Sequence, residues 1–399
     1  MDIPISGSCH PDLAAVEEAF RANFVERGEV GAAVCIAVDG EVVVDLVGGW
    51  TDEARTREWR HDTLVNVYSV GKALVALLAL QHVDRGDIDL ATPIAEVWPE
   101  FASGGKSSAT VRHALCHQAA VPAIREILTN EAIWDWERMA AAVAATDAWW
   151  VPGERHAYHV NTYGHLVGEI VHRVSGRMPG ERLREVAEPL GADVWCGLPD
   201  GEHDRCAEVI WAPSHSFGAI DLSALSGDAL MSALAHFNPP GYSSAGVMNT
   251  SEWRQAQVPS TNMHATAQGV ARIYAALVEP GRLLSPLLLA EAASPQSHGP
   301  CPMLGEDVTF GLGFTPTTER RPLGPNPRSF GHFGTGGSLA VCEGARNPRV
   351  AGVAALATPA DFDDWARNPR RLLLHARQVQ VIKDPIKSKG ARLSMNVTI

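Results

Sequence analysis

Several things are scarce in this chain, and each scarcity excludes something. Positive charge is not in surplus: 33 Lys and Arg stand against 46 Asp and Glu, a formal net charge of −13. A nucleic-acid binder needs a basic face to neutralise phosphates, so none is expected as a partner. The one basic run, at about Lys383–Arg392, is weak. No stretch approaches the roughly 20 apolar residues of a membrane-spanning helix. The opening MDIPISGSCHPDLAAVEEAF has no positively charged start and no apolar run. It does not read as a secretory signal, and a soluble cytoplasmic protein is expected. The 7 cysteines are scattered without a C-x-x-C pair and read as reduced thiols. Two catalytic signatures are also missing. The G-x-S-x-G elbow of triad hydrolases has only near misses, Gly241-Tyr242-Ser243-Ser244-Ala245 and Gly336-Gly337-Ser338-Leu339-Ala340, each without the last glycine. The H-E-x-x-H of zinc enzymes is absent; His113 and His117 lack an identifiable third ligand and read as structural helix residues near a site entrance. No metal and no cofactor are therefore expected.

What remains is ample apolar material: 399 residues, 46% hydrophobic, enough for a large core and more than the usual single-core unit. Apolar positions Leu13, Val16, Phe20 and Phe24 recur at helical spacing within residues 11–27. Ala32–Val38 and Glu41–Leu46 are β-rich runs joined by Asp39-Gly40, a tight-turn signal. Ser69 to about Arg85 reads as a long apolar helix stopped by Gly86, and helices are predicted at 133–146, 162–175, 179–188 and 266–278. Strand character returns at Ser329–Phe333, Ser338–Cys342 and Val350–Leu356, followed by an amphipathic helix at 360–379 and a polar tail at 383–399. Strands at both ends around a helical middle predict an α/β (α+β) fold with one antiparallel sheet built from both termini. The expected division is 1–75 with 266–399 as the sheet domain and 76–265 as a mostly helical insertion.

The first motif with chemistry is Ser69-Val70-Gly71-Lys72 at the start of the apolar helix. Residues i and i+3 share a helix face, so the amine reaches the hydroxyl. A hydroxyl in the first turn also feels the positive end of the helix dipole, which favours a developing alkoxide. Lysine acts as a base only if desolvation lowers its pKa, and Val65, Val67, Leu74 and Val75 supply apolar surroundings. The spacing alone is weak, because Ser103-Gly104-Gly105-Lys106 matches it too. That copy lies in a Gly/Ser loop with nothing evident to fix its geometry, and it is set aside.

Two further stretches fit around this pair. Tyr158, in Pro152-Gly153-Glu154-Arg155-His156-Ala157-Tyr158-His159-Val160-Asn161, is one of only 5 tyrosines and precedes a helix. A phenol beside a lysine ammonium serves as base and then as acid, although alone it reads as a half-buried aromatic. Phe330-Gly331-His332-Phe333-Gly334-Thr335-Gly336-Gly337-Ser338 joins a β-like run to a glycine-rich turn. An edge strand there can aim one N–H at a carbonyl oxygen, with the Ser69 N–H as the other half of an oxyanion hole. In isolation it reads equally as a hairpin turn.

Taken in order, these elements resemble the serine β-lactamase and penicillin-binding protein superfamily over about residues 10–360. They are most similar to its esterase branch, the family VIII carboxylesterases and related acyltransferases. The resemblance implies a β-lactamase-like fold, Ser69 as nucleophile, Lys72 and Tyr158 as its activating pair, and the backbone N–H groups of Ser69 and Thr335 as oxyanion hole. His332-Phe333-Gly334 takes the place of the K-T-G box, and His159 and Asn161 stand near the site with it as substrate-binding residues. Val160 occupies the position of the asparagine in the lactamase Y-x-N, and His332 removes the cation that would meet a β-lactam carboxylate. Both departures favour small neutral esters over β-lactams, with weak β-lactam hydrolysis alongside. Acyl transfer, a β-lactamase or D-peptidase, and a sensor that acylates once and stalls are the alternatives on the same fold.

Overall fold

Asp39 and Gly40 both take positive φ, 52° and 84°. Such a pair lets a two-residue turn follow the twist of its strands. Strands β2 (Gly31–Val38) and β3 (Glu41–Gly49) accordingly pair as an antiparallel hairpin. A computed structural model describes residues 2–210, 221–244, 246–324, 326–343 and 350–356, and the hairpin lies inside its largest sheet. The other strands are β1 (Ile5–Cys9), β4 (Val65–Asn66), β5 (Val194–Trp195), β6 (His264–Ala265), β7 (Ser297–Cys301), β8 (Glu306–Phe310), β9 (Thr315–Pro316), β10 (Phe330–Phe333), β11 (Leu339–Glu343) and β12 (Val350–Leu356). The large sheet has the order β1-β3-β2-β12-β11-β10-β9 and is antiparallel throughout. Strands from the beginning and the end of the sequence meet where β2 pairs with β12, Cys35 opposite Val353.

All of β2 is buried, because both faces of the sheet are covered. Ala32, Val34, Ile36 and Val38 pack with Val16, Phe20 and Phe24 of helix α1 (Ala14–Glu26). Ala33 and Cys35, on the opposite face by the two-residue period of a strand, join the main core. That core is organised around α2 (Val70–Arg85), which is buried on every side from Val70 to Leu80, as expected for a helix apolar all round. Gly86 ends it in the left-handed conformation, φ 76°. The remaining helices are α3 (Ile94–Val97), α4 (Val111–Leu115), α5 (Trp136–Ala145), α6 (Thr162–Ser175), α7 (Pro179–Ala187), α8 (Gly227–Phe237), α9 (Ser251–Gln255), α10 (Ala267–Val278) and α11 (Pro286–Ala292). Helices α6 and α7 pack on α2, and α10 lies across β2 and β11.

The expected mixed α/β fold is therefore present, with the middle of the chain largely helical. Strand β1 was not anticipated: its sequence Ile-Ser-Gly-Ser-Cys has no apolar alternation, and it owes its existence to pairing along β3, Gly7 opposite Leu46. The β7–β8 hairpin and the small β4-β6-β5 sheet also went unread. The predicted helix at 360–379 and the tail at 383–399 lie outside the described residues. Among the described residues, no helix is long and apolar enough to cross a membrane.

Candidate active site

Ser69 is the N-cap residue, immediately before the first residue of α2. The chain reaches it through β4, just after which Val67 N–H donates to Met263 O at 2.9 Å. It then turns at Tyr68, which takes φ 47°, a strained value for a side-chain-bearing residue of the kind that gathers at functional sites. The Tyr68 hydroxyl is held against Met248 Sδ at 3.2 Å. Gly71 is obligatory, since a Cβ there would lie 2.3 Å from Pro259 O. The opening of α2 is thus clamped on the side away from solvent.

Lys72 is fully buried, 0% exposed. Its Nζ lies 2.9 Å from Ser69 Oγ, 2.7 Å from Val160 O and 3.0 Å from Ser260 O. The arrangement has a direct consequence. Two carbonyls accept only, so they fix two N–H bonds of the amine. The third tetrahedral position then points at Ser69 Oγ, as an N–H if the lysine is charged and as a lone pair if it is neutral. Burial pushes Lys72 well below the usual lysine range, which favours the neutral form that accepts a proton.

Tyr158 approaches from the loop before α6. Its ring lies 4.7 Å from Lys72 Nζ, and its hydroxyl interacts with Ser69. Burial raises its pKa above the ordinary phenol value, with the Ser69 interaction acting against the rise. The phenol therefore carries its proton when Lys72 does not. Around it stand Phe310, stacked at 5.9 Å, and His117 at 4.9 Å. Tyr158 N–H donates to Cys301 Sγ at 3.2 Å, which ties the loop to β7.

His159 and Asn161 lie in the same loop but are engaged elsewhere. His159 Nε2 accepts from Val121 N–H at 3.3 Å while Nδ1 donates to Ala157 O at 2.7 Å. The ring is buried and its pKa falls to about 4 through desolvation. Asn161 Nδ2 donates to Ala235 O, and its Oδ1 accepts from Thr261 Oγ1. These hydrogen bonds hold the loop in place.

The third side of the site is the corner after β10. Gly334 N–H donates to Ser338 O at 2.7 Å, and a Cβ on Gly334 would lie 2.5 Å from Val67 O. The glycine lets the Phe333–Thr335 corner press against the backbone that carries Ser69. His332 is buried, and its Nδ1 donates to Phe333 O at 2.7 Å. Burial first, then Lys72, lowers its pKa to about 3, so the residue in the position of the K-T-G lysine is a neutral imidazole. Phe333 is part-buried and packs beside Leu323, Leu339 and Val341.

Sequence reading missed the Pro259–Ser260 loop, whose carbonyl helps to orient Lys72. A backbone acceptor leaves no signature in residue type, so nothing in the sequence could have announced it. Ser103-Gly104-Gly105-Lys106 needs a correction, since its geometry is firmly fixed. Lys106 is 0% exposed and its Nζ donates to Ser103 O, Ala144 O and Thr146 O at the carbonyl end of α5. Of His113 and His117, read as structural helix residues, only the second needs correcting. His113 forms a capping box with Thr110, whereas His117 lies past the end of α4 at φ 65°, buried among aromatic rings. Among the described residues, no group of three or more His, Cys, Asp or Glu is placed to hold a metal.

Residues 13–377 match the model of the Beta-lactamase family, and the chain belongs to that family. It is 32% identical over 358 residues to the esterase/beta-lactamase LipL of Mycobacterium tuberculosis, covering 84% of this chain and 79% of that protein. A penicillin-binding protein homolog from Caulobacter crescentus superposes with a TM-score of 0.80 at 36% identity, over 94% of this chain and 98% of the other. A family VIII carboxylesterase gives 0.81 at 33% identity, over 94% and 99%. The chain is a serine hydrolase with the β-lactamase fold, close to the family VIII carboxylesterases.

Proposed function

We propose that the chain is a carboxylesterase that cleaves small neutral esters through an acyl-enzyme on Ser69. The observation that carries this reading is Lys72 Nζ, buried, 2.9 Å from Ser69 Oγ, with its other two contacts taken by backbone carbonyls. Ser69 Oγ attacks the ester carbonyl as its proton passes to the neutral amine of Lys72. Tyr158 holds its proton and delivers it to the departing alkoxide, and Lys72 re-protonates the phenol. The N–H groups of Ser69 and Thr335 hold the oxyanion; losing one such donor typically costs about 3 kcal/mol of transition-state stabilisation. Water then repeats the sequence to release the acid.

Neutral His332 supports esters over β-lactams, because it offers no cation to a carboxylate beside the scissile bond. The name of the Mycobacterium relative, esterase/beta-lactamase, favours a weak β-lactam hydrolysis alongside. Intact-mass spectrometry with a fluorophosphonate, beside p-nitrophenyl acetate, p-nitrophenyl butyrate and nitrocefin assays, tests the reading. It holds if one adduct forms, vanishes in Ser69→Ala, and short esters turn over far faster than nitrocefin. An adduct that survives in Ser69→Ala places the nucleophile elsewhere.

A further inference from the structure

Away from the site, the carbonyl ends of α2 and α6 converge with α7 on a cavity of about 370 Å³ lined by His82, Arg85, Ser175, Arg177, Arg182 and Glu185. Three guanidiniums meet there in a chain whose net charge is −13. The carboxylates nearby do not exhaust them. Glu185 pairs with Arg177 and Arg182, while Asp87 accepts from Arg85 Nε at 3.1 Å and lies 2.8 Å from His82 Nδ1. Arg85 and Arg177 both act on Arg182 as like charges.

The negative ends of two helices account for basic residues at Arg85 and Arg177. They do not account for two buried nitrogens. Arg182 Nε and His82 Nε2 have no hydrogen-bond partner, and His82 is only 4% exposed. An orphaned buried donor costs free energy that a ligand would recover. An anion beside His82 Nε2 selects the form with a proton there. In that form Nδ1 accepts from Arg85 Nη2 at 3.0 Å or, in the imidazolium, donates to Asp87.

The geometry points to a binding site for a phosphate-type oxyanion, either free phosphate or a phosphomonoester, held by Arg85, Arg177, Arg182 and His82. A tetrahedral oxyanion presents acceptors in several directions, which suits donors arriving from α2, from the turn after α6 and from α7. A carboxylate, with two coplanar oxygens, would leave part of this array unused.

Isothermal titration of the full chain with inorganic phosphate and with glycerol phosphate, against sodium chloride of matched ionic strength, tests the site. Saturable phosphate binding is expected, weakened about tenfold or more in Arg182→Gln, with p-nitrophenyl acetate turnover unchanged. The exposed Arg177→Gln should weaken it too and guards against a folding defect in the first variant. Tighter binding of glycerol phosphate would make the ligand a phosphomonoester; tighter binding of phosphate would make it the free anion. Phosphate that binds no better than chloride, or equally well to both variants, overturns the proposal.

Discussion

The chain contains the spacing S-x-x-K twice, and the two copies share more than their spacing. Lys72 and Lys106 are both fully buried, and each places Nζ against backbone carbonyls. What separates them is the third contact. Lys106 donates to three carbonyls, and Ser103 Oγ donates to Ala144 O. A neutral amine there would turn its lone pair toward an acceptor, so the site holds an ammonium. Burial lowers the pKa of Lys106 as well, with Asp147 opposing it, but three acceptors settle the form. At Lys72 a hydroxyl replaces the third carbonyl. On the proposed mechanism, that single exchange turns a buried helix clamp into a base aimed at a nucleophile.

The comparison breaks most sharply at the serines. Ser69→Ala should abolish both covalent labelling and ester turnover, while Ser103→Ala should leave both near wild type; the paired labelling assay checks this. Substituting the lysines should separate catalysis from stability. Lys72→Met is expected to lower kcat by roughly 10²–10⁴-fold, the usual worth of general acid–base catalysis. Lys106→Met should leave kcat nearly unchanged in folded protein. Removing the buried donor shared by Ser103 O, Ala144 O and Thr146 O would cost it on the order of 3 kcal/mol of stability, read by chemical denaturation.

These two lysines also show how much was legible in the sequence. The hairpin at Asp39-Gly40, the stop at Gly86 and the buried all-round helix from Val70 were readable because turn chemistry and apolar periodicity are local. The spacing of Ser69 and Lys72 was readable too, and so was its duplicate. Which lysine faces a hydroxyl was not, since Val160 O and Ser260 O come from 88 and 188 residues away along the chain. The same limit hid the contact of His159 with Val121, 38 residues away along the chain.

Smaller effects sharpen the picture around Lys72. His159 is held neutral with a pKa near about 4, and His332 and His264 near about 3, each below the ordinary 6.5. The unfolded chain therefore binds more protons below about 6.5, so stability falls as pH drops from there toward 4. At pH 5 the loss should be on the order of 1–2 kcal/mol per histidine, seen as a lower Tm than at pH 7.5. The smallest predicted change is in selectivity. His332→Lys restores a cation at the corner and should raise the nitrocefin-to-ester rate ratio by about tenfold, the equivalent of about 1.4 kcal/mol.

The central claim is that Lys72 works as a neutral amine on Ser69. The measurement that tests it most directly is the rate of fluorophosphonate acylation of Ser69, followed by intact mass across pH. A base must be unprotonated, so the rate should climb with pH and level off at a midpoint below the ordinary lysine value of 10.5. Lys72→Met should remove that limb. A rate that keeps rising past 10.5, with the same profile in Lys72→Met, would contradict the account.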